Sequence, residues 1–412
     1  MSAFSIPLSG LAASSSSLNV IANNLANLNT DGYKSETLSF ADVFNQAQGT
    51  SGNGDPIQIG SGVETGSTTS NFTNGGVSST GDSSNMALQG NGFFVVQGNG
   101  QTEYTRDGNF TTNKAGDIVT ASGQTVLGYP AANGVVNTSG ALAPISVSST
   151  GTIPGVASSN FSTTTNLDAS AAVGDTYSSP ITVYDSLGTS HTVTVNFTNT
   201  AANTWSYSVT LPAADTGGTG AATTLASGTL SFNSSGQLTS PSGTVTGINI
   251  TGLADGASNM SLTWNLDGSG TTPTVTQLAS ASATSATTQN GYGVGTLTGY
   301  TVLSDGTVQG QFSNNQTLAL GQVAVASFSN NQGLQQVGDN NYEATAASGA
   351  SVIGQAGIGG NGTITGGSVE ESNVDLSTQF ADMIVAQQGY EANAKVLTTL
   401  DQVSQATIQL IS

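Results

Sequence analysis

The last forty residues, 373–412, carry apolar side chains at a helical period. The stripe consists of Leu376, Met383, Tyr390 and Leu397 spaced by seven, with Phe380 and Leu400 beside them. We expect Asn373 to cap a helix of about 37 residues, about 55 Å long, with Asp375 in its first turn. An ordinary globular helix is shorter, so the stripe predicts a partner helix or a neighbouring subunit.

A second amphipathic pattern occupies the first thirty residues, which contain no charged side chain. Its apolar positions are Phe4, Leu8, Leu11, Leu18, Ile21, Leu25 and Leu28. The polar face is made of Ser and Asn, and Asp31-Gly32 predicts a tight turn after the helix. This helix is either the core of a globular domain or the partner of the C-terminal helix, and it could also pack in a multi-subunit array.

Between the two helical patterns, short alternating runs are separated by turn dipeptides such as Asn91-Gly92 and Asp107-Gly108. The sequence therefore predicts a mainly β fold with long terminal α-helices, in which nested β domains are inserted between an N- and C-terminal helical coiled-coil pair. The predicted parts are a terminal helical domain (1–34 and 370–412), an extended connecting region (35–84 and 345–369), an inner β domain (85–148 and 288–344) and an inserted outer β domain (149–287).

Composition narrows the possible functions. Lys and Arg total 4 against 24 acidic residues, giving a formal charge of −20, so nucleic acid and anionic lipid are not expected partners. There is no cysteine, so disulfides and thiolate metal sites are excluded. The N-terminus lacks the basic and apolar regions of a secretory signal, and no apolar run approaches the roughly 18 residues of a membrane span.

The sequence offers little catalytic chemistry. His191, the single histidine, lies in an alternating strand, where we expect an ordinary surface or turn-proximal side chain. Neighbouring Ser190 should point to the opposite face of that strand. The scattered Asp residues and the pair Glu370-Glu371 lack the spacing of a calcium loop and are expected to be solvated. We therefore predict no enzyme activity, no cofactor and no metal site.

Three separated motifs resemble the axial proteins of the bacterial flagellum, which build its rod, hook and junctions. They are Ile21 to Lys34, Gly90-Asn-Gly-Phe-Phe-Val-Val with Tyr104 to Phe110, and Ser372 to Ser377 followed by Gln387 to Asn393. The resemblance implies motif roles for Asn23, Asn24, Asn27, Asn29, Thr30, Gly32, Tyr33, Asn373, Asp375 and Asn393. Gly389 departs from the pattern, since a helix former is more usual there.

Val183-Tyr-Asp-Ser-Leu-Gly188 with His191 is similar to the outer domain of the hook members of this family. The resemblance implies an extracellular structural subunit that self-assembles into a curved tube and transmits torque as a universal joint. It also implies export through the flagellar apparatus without a cleaved signal peptide, and contacts with rod, hook-cap and junction proteins. The alternatives are another axial protein, of the distal rod or the hook–filament junction, and a secreted β-rich adhesin.

Overall fold

The computed structural model describes residues 4–43, 46–50, 56–98, 100–148, 151–267 and 273–411. Over these residues the chain forms two α-helices, α1 (Ser5–Ala26) and α2 (Leu376–Ile411), connected through many short strands. The predicted fold class, mainly β with long terminal α-helices, is confirmed. Neither helix is both long and apolar enough to cross a membrane within the part of the chain described.

The strands of the first third of the chain are β1 (Glu36–Asp42), β2 (Gln46–Thr50), β3 (Pro56–Ile59), β4 (Val63–Ser70), β5 (Val77–Ser79), β6 (Met86–Gln89), β7 (Phe93–Gly98), β8 (Gln101–Thr105), β9 (Thr111–Thr112), β10 (Ile118–Val119), β11 (Thr125–Val136) and β12 (Ala143–Pro144). They are followed by β13 (Thr152–Ile153), β14 (Asn160–Asp168), β15 (Thr176–Tyr184), β16 (Ser190–Ala201), β17 (Thr204–Leu211), β18 (Thr223–Phe232), β19 (Leu238–Ser240), β20 (Thr244–Ile250), β21 (Met260–Asn265), β22 (Val275–Leu278), β23 (Ala283–Gln289) and β24 (Gly295–Val302). The last strands are β25 (Thr307–Phe312), β26 (Thr317–Ser327), β27 (Gln335–Gly338), β28 (Asn341–Glu343), β29 (Val352–Gln355), β30 (Thr363–Gly366) and β31 (Ser368–Glu370). Short 3-10 turns occupy Ala213–Thr216 and Asn331–Gly333.

The chain divides into two units. The first unit comprises Met1–Ser148, Gly299–Gln311 and Thr317–Ser412, and the second comprises Ser149–Thr298 and Phe312–Gln316. Strand β23, which pairs antiparallel with β14, runs across the predicted domain boundary at 287. We therefore propose that the outer β domain extends beyond that boundary.

The first unit is built on an antiparallel sheet in the order β25-β26-β11-β7-β8-β28-β27. The apolar run of β7 is continuous because both of its faces are buried. Phe93 and Val95 pack in one core cluster, and Phe94 and Val96 pack in another. Side chains alternate along a strand, so the sheet is covered on both faces. Strands β1 and β4 follow α1 along the chain and form an antiparallel pair. They lie in the segment that the sequence predicted as extended chain.

The second unit contains two five-stranded sheets. One is the antiparallel meander β15-β16-β17-β18-β19, and the other is β20-β21-β14-β22 with β23 added on β14. Their inward side chains form one core around Trp205 and Trp264, which are 1% and 0% exposed. The outward positions are Ser, Thr and Asn, as the alternating burial of β16 and β17 shows. The second unit is thus a sandwich with a polar outer surface.

We expect Phe197→Ala to lower the free energy of unfolding of the second unit by about 3–5 kcal/mol. Phe197 is fully buried, and its ring centroid lies 6.1 Å from that of Trp264. Both tryptophans of the chain lie in the second unit, so their fluorescence during urea unfolding reports on this unit. The control is Val173→Ala, at a side chain that is 72% exposed. Equal midpoints for the two variants would contradict the assigned core.

Candidate functional site: the terminal helix pair and its anchor

Helices α1 and α2 pack against each other in the first unit. Asn24 of α1 donates a hydrogen bond to Gln379 of α2 at 3.0 Å. Farther along the pair, Gly10 lies against Asn393, so α1 and α2 run antiparallel. The sequence predicted that the N- and C-terminal helices form a pair, and the structure pairs α1 with α2.

Small residues bring the two helices close together. A Cβ atom on Gly10 would lie 2.7 Å from Oδ1 of Asn393, and one on Gly389 would lie 3.3 Å from Oγ of Ser14. The Asn393 amide is held in place by donating to the carbonyl oxygen of Gly389 at 2.9 Å. Gly389, which the sequence marked as a departure from the family pattern, therefore lies at a point of close helix approach.

Helix α2 is longer than its partner. It has 36 residues against 22 in α1, a difference of about 20 Å at about 1.5 Å per residue. Since Gly10 faces Asn393 in an antiparallel pair, the start of α1 falls near residue 398. The last turns of α2 therefore extend past α1, and they carry Val403 and Ile408, which are 59% and 64% exposed. We call residues 399–411 the α2 extension.

The predicted assembly residues occupy different environments. Ile21 is buried within the subunit. Leu8, Leu376, Phe380 and Tyr390 are exposed. The half-buried members are Phe4, Leu11, Leu18, Leu25, Leu28, Met383, Leu397 and Leu400. The heptad row is thus divided between the α1 contact and solvent, and its role between subunits stays a prediction.

Asn24 makes the central hydrogen bonds of the N-terminal motif and is 1% exposed. Its amide donates to the Glu36 carbonyl oxygen at 2.8 Å as well as to Gln379, and its Oδ1 accepts from the Glu36 N–H at 2.9 Å and the Tyr33 hydroxyl at 3.1 Å. Burial, followed by the charge of Glu36, raises the pKa of Tyr33 to about 12, so this hydroxyl stays protonated and can donate. All four hydrogen-bonding positions of the amide are therefore used to join α1, β1 and α2.

The remaining N-terminal motif residues form the turn after α1. Asn27 donates to the carbonyl oxygen of Asn23 at 3.0 Å and accepts from the hydroxyl of Thr30 at 3.1 Å, while Asn29 is exposed. Asn23 in turn donates to the Tyr33 hydroxyl at 3.2 Å.

Gly32 has a φ of +68°, and a Cβ there would lie 2.5 Å from the backbone of Arg106. Only glycine fits both this backbone conformation and this contact.

At the C-terminal motif the predicted helix cap is wrong. The side chain of Asp375 accepts from the N–H of Thr378 at 3.0 Å, so Asp375 caps α2 at the N-terminal position. Asn373 instead ties together three backbone segments: it accepts from the N–H of Ser35 at 2.8 Å and donates to the carbonyl oxygens of Asn71 and Thr73 at 2.7 and 3.0 Å. Both residues are polar enough to cap a helix, and the difference lies in the non-local partners of Asn373.

A buried ion cluster anchors the helix pair to the sheet. Glu370 accepts from Nζ of Lys34 at 2.6 Å and from Nη1 of Arg106 at 3.3 Å, and all three side chains are at most 3% exposed. Nζ of Lys34 also donates to the Thr73 carbonyl oxygen at 2.9 Å, and Arg106 donates to those of Leu88 and Gly90. Burial lowers the pKa values of both Lys34 and Arg106, and the charge of Glu370 opposes each shift.

The expectation that Glu370 is solvated is therefore wrong. Glu370 is 1% exposed, whereas its neighbour Glu371 is exposed. The sequence did contain a signal for this pairing. Two of the four basic residues, Lys34 and Arg106, lie inside the motifs that flank the connecting region, and a rare buried cation requires a carboxylate.

His191 also differs from its expected environment. It lies next to the β15–β16 turn, as one of the two expected alternatives had it, but it is 6% exposed and therefore not a surface side chain. Asp185 is fully buried, so the expectation that it is solvated is wrong. Both belong to the second unit, and they take no part in the helix pair.

Four protein families match successive parts of this chain. "Flagella basal body rod protein" matches residues 6–34, and "Flagellar hook protein FlgE/F/G D1 domain" matches residues 87–155. "Flagellar basal body protein FlaE D2 domain" matches residues 155–292, and "Flagellar basal body rod FlgEFG protein C-terminal" matches residues 365–410. Together with the helix pair and the β units, these matches define a protein of the flagellar rod and hook class.

Full-length relatives identify the branch of this class. The flagellar hook protein FlgE of Salmonella typhimurium is 38% identical over 99% of this chain and 99% of its own length. The hook protein FlgE of Escherichia coli is 36% identical over 99% of this chain and 100% of its own length. That of Treponema pallidum is 31% identical over 98% of this chain and 98% of its own length. The chain belongs to the flagellar hook protein family, as the motif resemblance predicted.

A solved structure shares the fold. The crystal structure of Helicobacter pylori flagellar hook protein FlgE2 aligns with a TM-score of 0.50 over 70% of this chain and 98% of that chain, at 15% identity.

We expect Glu370→Gln to lower the free energy of unfolding of the first unit by about 3–5 kcal/mol, because it leaves two buried cations without a countercharge. Far-UV circular dichroism during urea unfolding measures the loss, and tryptophan fluorescence of the second unit serves as an internal reference. The matched control is Glu371→Gln, at the exposed neighbour, with an expected change within about 0.5 kcal/mol. The cluster would not be an anchor if both variants unfolded at the wild-type midpoint.

A pH dependence is expected at Asp107. Burial raises the pKa of Asp107 to about 6, the Asn109 N–H opposes the shift and the charge of Asp31 adds to it. The unfolded value is about 3.9, so from about pH 4 to about pH 6 the folded chain holds a proton that the unfolded chain has lost. Stability contributed by protonated Asp107 therefore falls as the pH rises through this window.

We expect Asp107→Asn to raise the melting temperature at pH 7 and to leave it unchanged at pH 4, since Asn keeps the acceptor for the Asn109 N–H but carries no charge. Thermal unfolding at the two pH values measures the difference. Asp305→Asn is the control, because exposed Asp305 accepts from the Thr307 N–H in the same way. Equal effects of Asp107→Asn at both pH values would contradict the prediction.

Proposed function

We propose that this chain is the structural subunit of a bacterial flagellar hook, which polymerises into a curved, flexible tube and transmits torque from rod to filament as a universal joint. The observation that carries the proposal is the terminal helix pair, which leaves apolar rows of α2 uncovered in the single subunit, among them Val403 and Ile408 of the α2 extension. The full-length similarity to flagellar hook proteins supports the same assignment.

Uncovered apolar side chains lie on both sides of the α1 contact. Val385, Val396 and Val403 are spaced by eleven and seven residues and so share one face of α2, where they are 68%, 49% and 59% exposed. Phe380 and Ile384 lie on the other side and are 43% and 51% exposed. Such surfaces normally mark contacts with other proteins. In a helical polymer, copies of the same helix pair would cover them and form the inner wall of the tube.

The second unit suits a different kind of contact. The outward faces of β16, β17 and β18 present Asn196, Thr198, Ser206, Ser208 and Thr229. Polar faces of this kind form wet and individually weak contacts. Neighbouring subunits could exchange such contacts at low cost while the tube rotates in its bent form, and the helices would stay packed.

Location and partners follow from the same proposal. The subunit would leave the cell through the flagellar export apparatus without a cleaved signal peptide and take an extracellular position in the hook. The ends of the tube would then contact rod, hook-cap and hook–filament junction proteins. As a structural subunit it would need neither catalytic residues nor a cofactor.

We expect Val403→Glu to prevent tube formation. Burying an unpaired carboxylate in an apolar contact costs a free energy on the order of several kcal/mol. Purified chains are salted out at high concentration and imaged by electron microscopy for curved tubes. Gln388→Glu is the matched control, since it adds the same charge at an exposed polar position of the same helix. Wild type and control should form tubes.

The fold of the subunit should not change in either variant, because both side chains are exposed in the single chain. Circular dichroism checks this point before assembly is tested. Curved tubes from Val403→Glu at the wild-type protein concentration would contradict a helix-wall contact at this residue. Failure of the wild type to form tubes would contradict the proposed function itself.

A further inference from the structure

Three carboxylates converge on the only histidine of the chain. Nε2 of His191 lies 3.0 Å from Oδ2 of Asp185 and 4.0 Å from Oδ2 of Asp255, and Nδ1 lies 3.1 Å from Oδ2 of Asp215. The residues come from three places in the second unit: the β15–β16 turn and β16 itself, the 3-10 turn after β17, and the loop after β20. The ligand atoms of Asp185, His191 and Asp255 all lie within 4.8 Å of one another.

The charge balance of the second unit makes this cluster unusual. The four Lys and Arg residues of the chain, Lys34, Arg106, Lys114 and Lys395, all lie in the first unit. The second unit has six acidic residues: Asp168, Asp175, Asp185, Asp215, Asp255 and Asp267. Half of them meet at one imidazole, where no basic side chain of the same unit can balance their charge. Even a protonated imidazole leaves a net negative charge in a largely buried place, which favours a bound cation.

The two carboxylates nearest Nε2 are held in the same way. Oδ1 of Asp185 accepts from the N–H groups of Leu187 and Thr189 at 2.8 and 2.9 Å. Oδ1 of Asp255 accepts from the N–H of Ala257 at 3.1 Å. In each case the backbone occupies one oxygen, and the other oxygen, Oδ2, faces Nε2. Each carboxylate therefore offers a single oriented ligand atom.

The ligand spacing fits a tetrahedral ion. Zinc bonds to nitrogen and oxygen of about 2.0–2.2 Å place neighbouring ligand atoms about 3.4 Å apart. The distances from Nε2 to the two Oδ2 atoms, 3.0 and 4.0 Å, lie on either side of that value. Asp215, on the opposite ring nitrogen, is placed to accept from Nδ1–H and so fix the tautomer that frees Nε2, as carboxylates behind zinc-bound histidines do.

We propose that Nε2 of His191, Oδ2 of Asp185 and Oδ2 of Asp255 bind one divalent transition-metal ion of the zinc type, with Asp215 orienting the ring. An imidazole ligand favours such an ion over Mg²⁺ or Ca²⁺, which prefer all-oxygen sites. Asp255, whose side chain is 28% exposed, lies on the solvent side and gives the ion access. The bound ion clips the β15–β16 turn to the loop after β20 and so stabilises the second unit, whether or not the chain assembles into tubes.

The test uses the tag-free full-length chain after treatment with a chelator. Zinc chloride is titrated by isothermal calorimetry at pH 7, and Co²⁺ is added separately, because its visible absorption reports a tetrahedral nitrogen–oxygen site. We expect one Zn²⁺ per chain and a rise in the thermal midpoint of the tryptophan fluorescence, which reports on the second unit. Asp255→Asn should abolish both effects, and Asp215→Asn should weaken binding by about 10–100-fold.

The matched control is Asp168→Asn, which removes a carboxylate of the same unit outside the cluster and keeps the acceptor for the Ser170 N–H. It should bind zinc like the wild type. The partly exposed position of Asp255 makes its Asn variant suitable even if His191→Gln fails to fold. The proposal is overturned if the wild type takes up no stoichiometric zinc, if Asp255→Asn binds as tightly as the control, or if Mg²⁺ or Ca²⁺ binds in place of zinc. In the first case an imidazolium bridging Asp185 and Asp215 accounts for the cluster.

Discussion

The ion cluster of Lys34, Glu370 and Arg106 is the interaction on which the first unit depends. Lys34 follows α1, Arg106 follows β8 and Glu370 ends β31 just before α2, so one carboxylate joins three parts of the chain. Lys34 and Glu370 are 336 positions apart. Because all three charges are buried, loss of the Glu370 carboxylate would leave two cations uncompensated in the interior. The helix pair is therefore held in one position relative to the sheet that supports it.

The same cluster takes up half of the basic residues in a chain with a formal charge of −20. Only Lys114 and Lys395 remain as basic residues for other ion pairs, and two copies of the chain repel each other at long range. Close packing must then come from apolar and polar surfaces, aided by salt, which limits the repulsion to about 10 Å at 0.1 M. The exposed valines of α2 and the Ser, Thr and Asn faces of the second unit are surfaces of these two kinds.

The sequence predicted the features that depend on local pattern. Both terminal helices and the short strands follow from periodicity, and the motifs identified the family. The sequence did not predict contacts between residues far apart in the chain. Asn373 forms hydrogen bonds with Ser35, Asn71 and Thr73 instead of capping α2. Glu370 is buried in ion pairs with Lys34 and Arg106. Asp185 and His191 are six positions apart, yet Asp215 and Asp255 reach them only through the fold of the second unit.

Gly389 lies where the two helices of the pair approach each other closely. A glycine in a helix costs about 1 kcal/mol relative to alanine, but here it lets α1 approach α2 at Ser14, with Gly10 and Asn393 in similar contact one turn farther on. Contacts between small residues bury little apolar area within the subunit. The larger apolar side chains, such as Val396, Val403 and Ile408, are left facing outward. The pair is thus closely packed but only weakly stabilised by itself, and under the proposed function neighbouring copies would supply the further burial.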